Sequence, residues 1–190
     1  MNPERRLHIG GRETRPGWEI LDVNPGPHVD HLGDAVDLSR FADDTFAEVY
    51  ASHVLEHFDY RGGLVEALRE WRRVLAPGGL LRISVPDIDI LAHLLLQRHK
   101  FNVDQRFQIM RMIFGGHVDA HDYHLVGLNQ DFLAGFLASA GFEQFQRVQR
   151  HDLFRDTSEL QVGGTPISVN VTARKPLPVA APAAPLAATA

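Results

Sequence analysis

Two patterns of apolar and polar residues alternate along this chain. Short runs rich in apolar, β-branched and aromatic residues predict strands at residues 6–9, 18–23, 36–38, 46–52 and 80–85. The last of these runs follows the turn Pro77-Gly78-Gly79 and ends at Pro86, which agrees with a strand bounded by chain-breaking residues.

The second pattern has the spacing of amphipathic helices. One apolar stripe is formed by Leu64, Leu68, Trp71 and Leu75. Further helices are predicted from Asp87 to Lys100, from Asn102 to Phe114 and from Asn129 to Gly141. The first of these has Asp87 as its expected N-cap, a side chain type that caps helix N-termini.

The last part of the pattern differs, because two strand-like runs, residues 142–149 and 166–173, have no helix between them. In the second run Ile167, Val169 and Val171 alternate with polar residues, which predicts a half-buried antiparallel strand. The whole order predicts an α/β fold with a mostly parallel, Rossmann-like sheet and an antiparallel C-terminal strand pair.

The first connection is unusually short for such a sheet. About eight residues separate the first predicted strand from the second, whereas a parallel crossover normally needs a dozen or more and contains a helix. Either the crossover is a tight loop or the first strand lies elsewhere.

Length and composition fit one domain. The chain has 190 residues, 44% of them hydrophobic, so residues 1–174 can build a single core, with residues 101–128 as a cap on the substrate side. Residues 175–190 (KPLPVAAPAAPLAATA) are of low complexity and predict a disordered tail.

The net charge and the amino-acid composition exclude several classes of partner and of chemistry. The net charge of −5 argues against a nucleic-acid backbone or an anionic membrane as partner. The absence of cysteine excludes disulfides and thiolate chemistry. No signal peptide is evident and the longest apolar stretch is too short to span a bilayer, so we expect a cytoplasmic protein.

Candidate ligand-binding residues follow the predicted strands, where open α/β sheets bind their ligands. Gly10 and Gly11 follow the first strand and allow close approach of a ligand to the backbone. Asp22 closes the second strand and can accept hydrogen bonds from ribose hydroxyls, and Asp37-Leu38 closes the third. Ordinary turn residues are the alternative in each case.

Two histidine-rich segments suggest chemistry. His53, Glu56 and His57 match H-x-x-E-H, an inverted zinc-peptidase motif. This interpretation is disfavoured because the motif follows a strand rather than lying in a long helix, and we expect no resident metal. His121 and His124 belong to a second segment, GGHVDAHDYH, which can bind metal, supply a general base, or be a solvated lid loop.

Together these residues resemble the type-11-like branch of class I S-adenosylmethionine-dependent methyltransferases. The resemblance covers roughly residues 6–173, and its most specific stretches are YASHVLEHF, EWRRVLAPGGLLRISVPD and ASAGFEQF. Relatives with L-x-I-G followed by G-W-x-x-x-D, as here in residues 7–22, also have a short first crossover. The branch is associated with glycan and natural-product biosynthesis.

The resemblance implies a cofactor site for S-adenosylmethionine. Gly10 and Gly11 would lie under its methionine part, Asp22 and Val23 would hold the ribose, Asp37 and Leu38 would flank the adenine, and the residues beside the methionine part would be Ser52 and His53.

Two hypotheses about function follow. The first is a methyltransferase acting on a hydroxyl or amine of a small molecule or sugar, with His57, His121 and His124 as candidate bases. The second is a methyltransferase-fold binding or regulatory subunit, acting as a homodimer or with a partner. The second is motivated by Arg12, which replaces the second glycine of G-x-G, and by Ala47, which stands where relatives often have Asp.

Overall fold

A computed structural model describes residues 4–178. Its strands are β1 (Arg6–Ile9), β2 (Trp18–Asp22), β3 (His31–Leu32), β4 (Phe46–Ser52), β5 (Leu75–Pro86), β6 (Glu143–Val148), β7 (Gln161–Val162), β8 (Thr165–Pro166) and β9 (Ser168–Arg174). Its helices are α1 (Gly63–Val74), α2 (Ile88–Leu96), α3 (Val103–Phe114) and α4 (Gln130–Ser139), with single 3-10 turns at Leu55–His57 and Thr157–Glu159.

Seven of these strands form one sheet in the order β3-β2-β1-β4-β5-β9-β6. Pairs among the first five in this order are parallel, and β9 runs antiparallel to both β5 and β6. β7 and β8 form a separate antiparallel pair. The predicted α/β class, the mostly parallel sheet and the antiparallel C-terminal strands are therefore confirmed.

The predicted helix starts are confirmed by their caps. The Asp87 side chain accepts hydrogen bonds from two backbone N–H groups of the first turn of α2. Asn102 and Gln105 form a reciprocal capping box at α3, and Asn129 caps α4. Helix α2 ends at Leu96, four residues before the predicted end at Lys100.

The third strand was predicted in the wrong place. β3 is His31–Leu32, which pairs with β2, and residues 36–38 form turns instead. Leu38 is fully buried, and its carbonyl accepts a hydrogen bond from Arg73. The apolar residues of this run therefore pack into the hydrophobic core and do not form a strand.

The first crossover is a loop. β1 pairs with β2 in parallel, with Arg6 opposite Trp18, and the eight intervening residues contain no helix. The predicted short crossover is confirmed. As a result, no helix from this connection covers the adjacent face of the sheet.

The two faces of the sheet are covered differently. On the apolar face, strand residues such as Leu7, Ile9 and Val49 pack against α1 and α4 in the main core. Trp71 of α1 is fully buried there, and its indole N–H donates to the Ala35 carbonyl at 2.8 Å. This is the packing that the amphipathic stripe of α1 predicts.

The other face, which we call the polar face, carries polar residues and an aromatic cluster that includes Trp18 and Tyr50. It is covered by an irregular connection, residues 149–160, which we call the covering segment. Phe154 of this segment stacks against His8 of β1 with ring centroids 4.1 Å apart. Tyr50 of β4 donates a hydrogen bond to Asp156, and the His151 ring donates to the Ile83 carbonyl.

The covering segment also corrects a prediction for β9. The polar residues of β9 are buried as well as the apolar ones, so the strand is not half-exposed. Asn170 shows the cause, because its amide donates to the carbonyls of Gln149 and Ser158 in the covering segment.

No helix within residues 4–178 combines the length and apolar character needed to span a membrane. The predicted tail lies mostly outside the described residues, from 179 onward. Its first residue, Lys175, bonds to the Asp44 carboxylate and to two backbone carbonyls.

Candidate functional site

A cavity of about 1020 Å³ opens at the carboxyl ends of β1, β2 and β4. The strand order reverses between β1 and β4, so the cavity lies at the topological switch point, where open α/β sheets bind their ligands. Its volume is large for a single small ligand and leaves room for two molecules side by side.

The glycine turn after β1 forms one wall. Gly10 lines the cavity with a φ of +71°, and a Cβ there would lie 2.6 Å from a Val54 methyl group. Gly11 lies behind the wall, where a Cβ would lie 2.5 Å from the His8 ring. Both positions therefore require glycine, but only Gly10 is placed to contact a ligand.

Arg12 lines the same wall, with an exposed side chain. Arg12 is not one of the described non-glycine residues that have a positive φ. The substitution in the G-x-G pattern therefore costs no backbone strain. The guanidinium supplies a positive charge at this end of the cavity, suited to a carboxylate.

Asp22 and Val23 line the cavity at the end of β2, as predicted. The Asp22 carboxylate accepts one hydrogen bond from the Asn24 N–H, through Oδ1 at 2.7 Å. That bond orients the carboxylate, and its second oxygen is available for ligand hydroxyls.

Asp37 and Leu38 do not line the cavity. Asp37 is exposed and accepts a bond from the Ser39 N–H, and Leu38 is buried in the core. Asp34 and Ala35, which follow β3, line the cavity instead. The misplaced third strand shifted this prediction by three residues.

Ser52 and His53 line the cavity at the end of β4, as predicted. His53 has a φ of +54° and is held by its N–H, which donates to Ser84, and by its ring, which bonds to the Ser168 hydroxyl at 2.9 Å. Burial lowers its pKa to about 4, so the imidazole is neutral at pH 7.

Glu56 lies next to this wall and is 1% exposed. Among the described residues neither carboxylate oxygen has a hydrogen-bond partner. Its Oε1 lies 3.7 Å from His53 Nδ1 and 3.9 Å from His124 Nε2. Burial raises the Glu56 pKa to about 8. The sequence showed Glu56 within a motif but not its burial.

The three candidate bases all line the cavity. The rings of His57 and His124 meet edge-on with centroids 4.8 Å apart, and His121 is exposed in the loop above them. Burial lowers the pKa of His57, and lowers that of His124 to about 4. Both are therefore neutral near pH 7 and weaker bases than the sequence alone suggested.

The covering segment closes the cavity on the remaining side, which no sequence motif indicated. Phe154, Arg155, Asp156 and Thr157 contribute to the wall. The Arg155 N–H donates to the Glu13 carboxylate at 3.0 Å, which joins this segment to the glycine turn.

A family described as a methyltransferase domain matches residues 21–83. An S-adenosylmethionine-dependent methyltransferase from Archaeoglobus fulgidus is similar in structure, with a TM-score of 0.58 and 17% identity over 91% of this chain and 86% of that one. A second from Methanosarcina mazei has a TM-score of 0.58 and 16% identity, over 94% and 95%.

The chain has the class I methyltransferase fold. The predicted resemblance is thereby confirmed, by the family match over residues 21–83 and by the shared fold. No protein of curated function matches the sequence.

The methyltransferase fold also occurs in larger and in associated proteins. A Haloferax volcanii protein from a complex with the Trm112 methyltransferase activator has a TM-score of 0.53 and 14% identity, over 92% of this chain and 84% of that one. Two other matched proteins are longer, since this chain spans 63% and 49% of their lengths.

Proposed function

We propose that this protein transfers a methyl group from S-adenosylmethionine to a hydroxyl or amine of a small molecule or sugar. The observation that carries the proposal is the single cavity at the switch point, which brings the Gly10 turn and Asp22 together with three histidines. The cofactor, when bound, supplies an electrophilic methyl group on a positively charged sulfur.

The cofactor half of the cavity fits such a ligand. The Asp22 carboxylate would accept hydrogen bonds from the ribose hydroxyls, and Asp34 with Ala35 would contact the adenine edge. Arg12 would pair with the amino-acid carboxylate, and Gly10 would let the chain approach it closely. Each of these residues lines the cavity.

The acceptor half would lie against His57, His121 and His124. A hydroxyl or ammonium acceptor must lose a proton, and a neutral imidazole can take it. His121 is the exposed member and can exchange that proton with water. The residues of the cap, among them Val118 and Tyr123, would exclude water from the transfer.

Calorimetry with S-adenosylhomocysteine tests the cofactor site. We expect one binding site in the wild type and a dissociation constant about 10- to 100-fold higher for Asp22→Ala, because charge-assisted hydrogen bonds are lost. Asp34→Ala should also weaken binding. Asp37→Ala is the matched control, since that carboxylate lies outside the cavity. Absence of binding by the wild type would exclude the proposal.

A binding or regulatory subunit is the second candidate. It is favoured by the departure at Ala47 and by the similar Haloferax protein that occurs with an activator, whereas the structure removes the objection at Arg12. It predicts stable association with a second copy or another protein and no turnover. Product formation from labelled cofactor with a panel of sugars, amines and phenols, using the purified chain alone, would exclude it.

A further inference from the structure

Three potential metal ligands converge on one wall of the cavity. One carboxylate oxygen of Glu56 and one ring nitrogen each of His57 and His124 all lie within 4.8 Å of one another. Two of these residues follow β4, and the third comes from the loop after α3, so the fold and not a local motif assembles the set.

Glu56 itself requires a partner. Its side chain is 1% exposed, and among the described residues neither of its oxygens accepts a hydrogen bond. Buried carboxylates are normally hydrogen-bonded, paired with a cation or bound to metal, because an unpaired one loses several kcal/mol of solvation. The ring nitrogens of His53 and His124 lie 3.7 and 3.9 Å from Oε1, beyond hydrogen-bonding distance.

One of the two histidines, His57, is oriented as a ligand. The Nδ1 of His57 lies 3.0 Å from the Tyr123 carbonyl, so Nδ1 carries the proton and Nε2 keeps its lone pair. Donation of the second ring N–H to a carbonyl is the usual arrangement of metal-binding histidines. The Leu125 N–H donates to the Glu56 carbonyl at 2.8 Å, which joins the two ligand-bearing segments.

We infer that Glu56, His57 and His124 bind a divalent transition-metal ion at the acceptor side of the cavity. Two imidazoles and one carboxylate suit Zn²⁺ and ions of similar preference, and leave coordination positions open. With bonds of about 2.1 Å the ligand atoms must lie roughly 3.4 Å apart, so small side-chain rotations complete the site. Because both histidines line the cavity, the open positions face it.

From the sequence we expected no resident metal and disfavoured the H-x-x-E-H motif of His53, Glu56 and His57. The convergent group in the structure contains His124 in place of His53. The His53 ring is bonded to Ser168 and positions the β4 turn instead. As far as it concerns the acceptor, the inference rests on the proposed function: an ion here would bind an acceptor hydroxyl and lower its pKa, leaving His121 as the free base.

Metal titration of the tag-free protein tests the site without any turnover. Calorimetry with Zn²⁺ should give one tight site, and Co²⁺ should give the visible absorption of a low-symmetry, nitrogen- and oxygen-coordinated ion. Glu56→Gln keeps the size of the side chain and removes the charged ligand. We expect this variant to bind Zn²⁺ about 100-fold or more weakly than the wild type. Replacing residues that only support the ligands already weakens metal binding by about 10- to 100-fold.

His124→Ala should have a similar effect, and His99→Ala is the matched control, because His99 is exposed and does not line the cavity. Thermal melting without metal checks that each variant is folded. Weak, multi-site binding in the wild type, or equal affinity in Glu56→Gln and His99→Ala, would overturn the inference.

Cofactor binding separates this result from the proposed function. Glu56→Gln should bind S-adenosylhomocysteine as the wild type does, because Glu56 is absent from the cofactor half of the cavity. Metal binding without cofactor binding would leave the metal site standing and remove the methyltransferase proposal. Cofactor binding without metal binding would overturn the metal site and leave the methyltransferase proposal standing.

Discussion

The two faces of the central sheet are stabilised in different ways. The apolar face packs strand side chains against α1 and α4 in one continuous core. The other face carries His8, Tyr50 and Asn170, and the covering segment contacts all three: Phe154 stacks on His8, Asp156 accepts a hydrogen bond from Tyr50, and the Gln149 carbonyl accepts one from Asn170. The difference teaches that an irregular segment can cover a sheet face that the short first crossover leaves without a helix.

The largest effect is expected on the apolar face. Trp71→Ala removes a fully buried indole and its bond to Ala35, and should lower the free energy of unfolding by about 3–5 kcal/mol. Urea denaturation followed by circular dichroism measures this loss. Phe107→Ala is the control, since that ring is 55% exposed and should cost about 0.5 kcal/mol or less. Equal losses would show that α1 does not anchor the core.

The polar face should make the free energy of unfolding depend on pH. Burial lowers the His8 pKa from 6.5 to about 4. Between these values the unfolded chain binds a proton that the folded chain does not, so stability falls as the pH falls through this window. Over the whole window, the lowered pKa of His8 reduces the free energy of unfolding by about 3 kcal/mol.

The comparison of wild type with His8→Leu isolates this group from the other buried histidines. Between pH 7 and pH 4 the wild type should lose up to about 3 kcal/mol more unfolding free energy than the variant in urea titrations. Identical pH slopes for the two proteins would mean that His8 does not titrate in this window.

A smaller effect is expected where the covering segment is attached. Burial raises the pKa of Tyr50, so its hydroxyl stays protonated and donates to Asp156 at 2.6 Å. Tyr50→Phe should cost about 1–3 kcal/mol. Hydrogen exchange should increase mainly in residues 149–160, with α1 and α4 little changed.

Tyr60→Phe is the control for this variant, because Tyr60 is 54% exposed. Faster exchange spread evenly over both faces would show that the covering segment is not an independent layer.

Features that depend on residues close together along the chain could be predicted from the sequence. The caps of α2, α3 and α4 depend on Asp87, Asn102 and Asn129 together with backbone groups within three residues. Asp87 was predicted as a cap, and Asn102 and Asn129 were predicted as helix starts. The placement of Asp22 and Ser52 beside the cavity followed from the strand ends. Periodicity and capping are local, so one sequence is enough to read them.

Features that depend on distant contacts could not be predicted. The two-residue β3 is too short for a periodic signal, so the prediction named Asp37 where the structure places Asp34 in the cavity wall. The approach of His124 to Glu56, and of Asp156 to Tyr50, joins residues far apart in the chain. No pattern within a short window encodes such pairs.

The covering segment has a consequence for how the protein is made. The cavity wall combines residues 10–13 with residues 154–157, the earliest and nearly the latest parts of the described chain. During synthesis the strands that hold Asp22 leave the ribosome long before residue 154 does. The cavity therefore cannot close until residues 154–157 have been synthesised, and its long loop closure should make it one of the last of the described regions to fold.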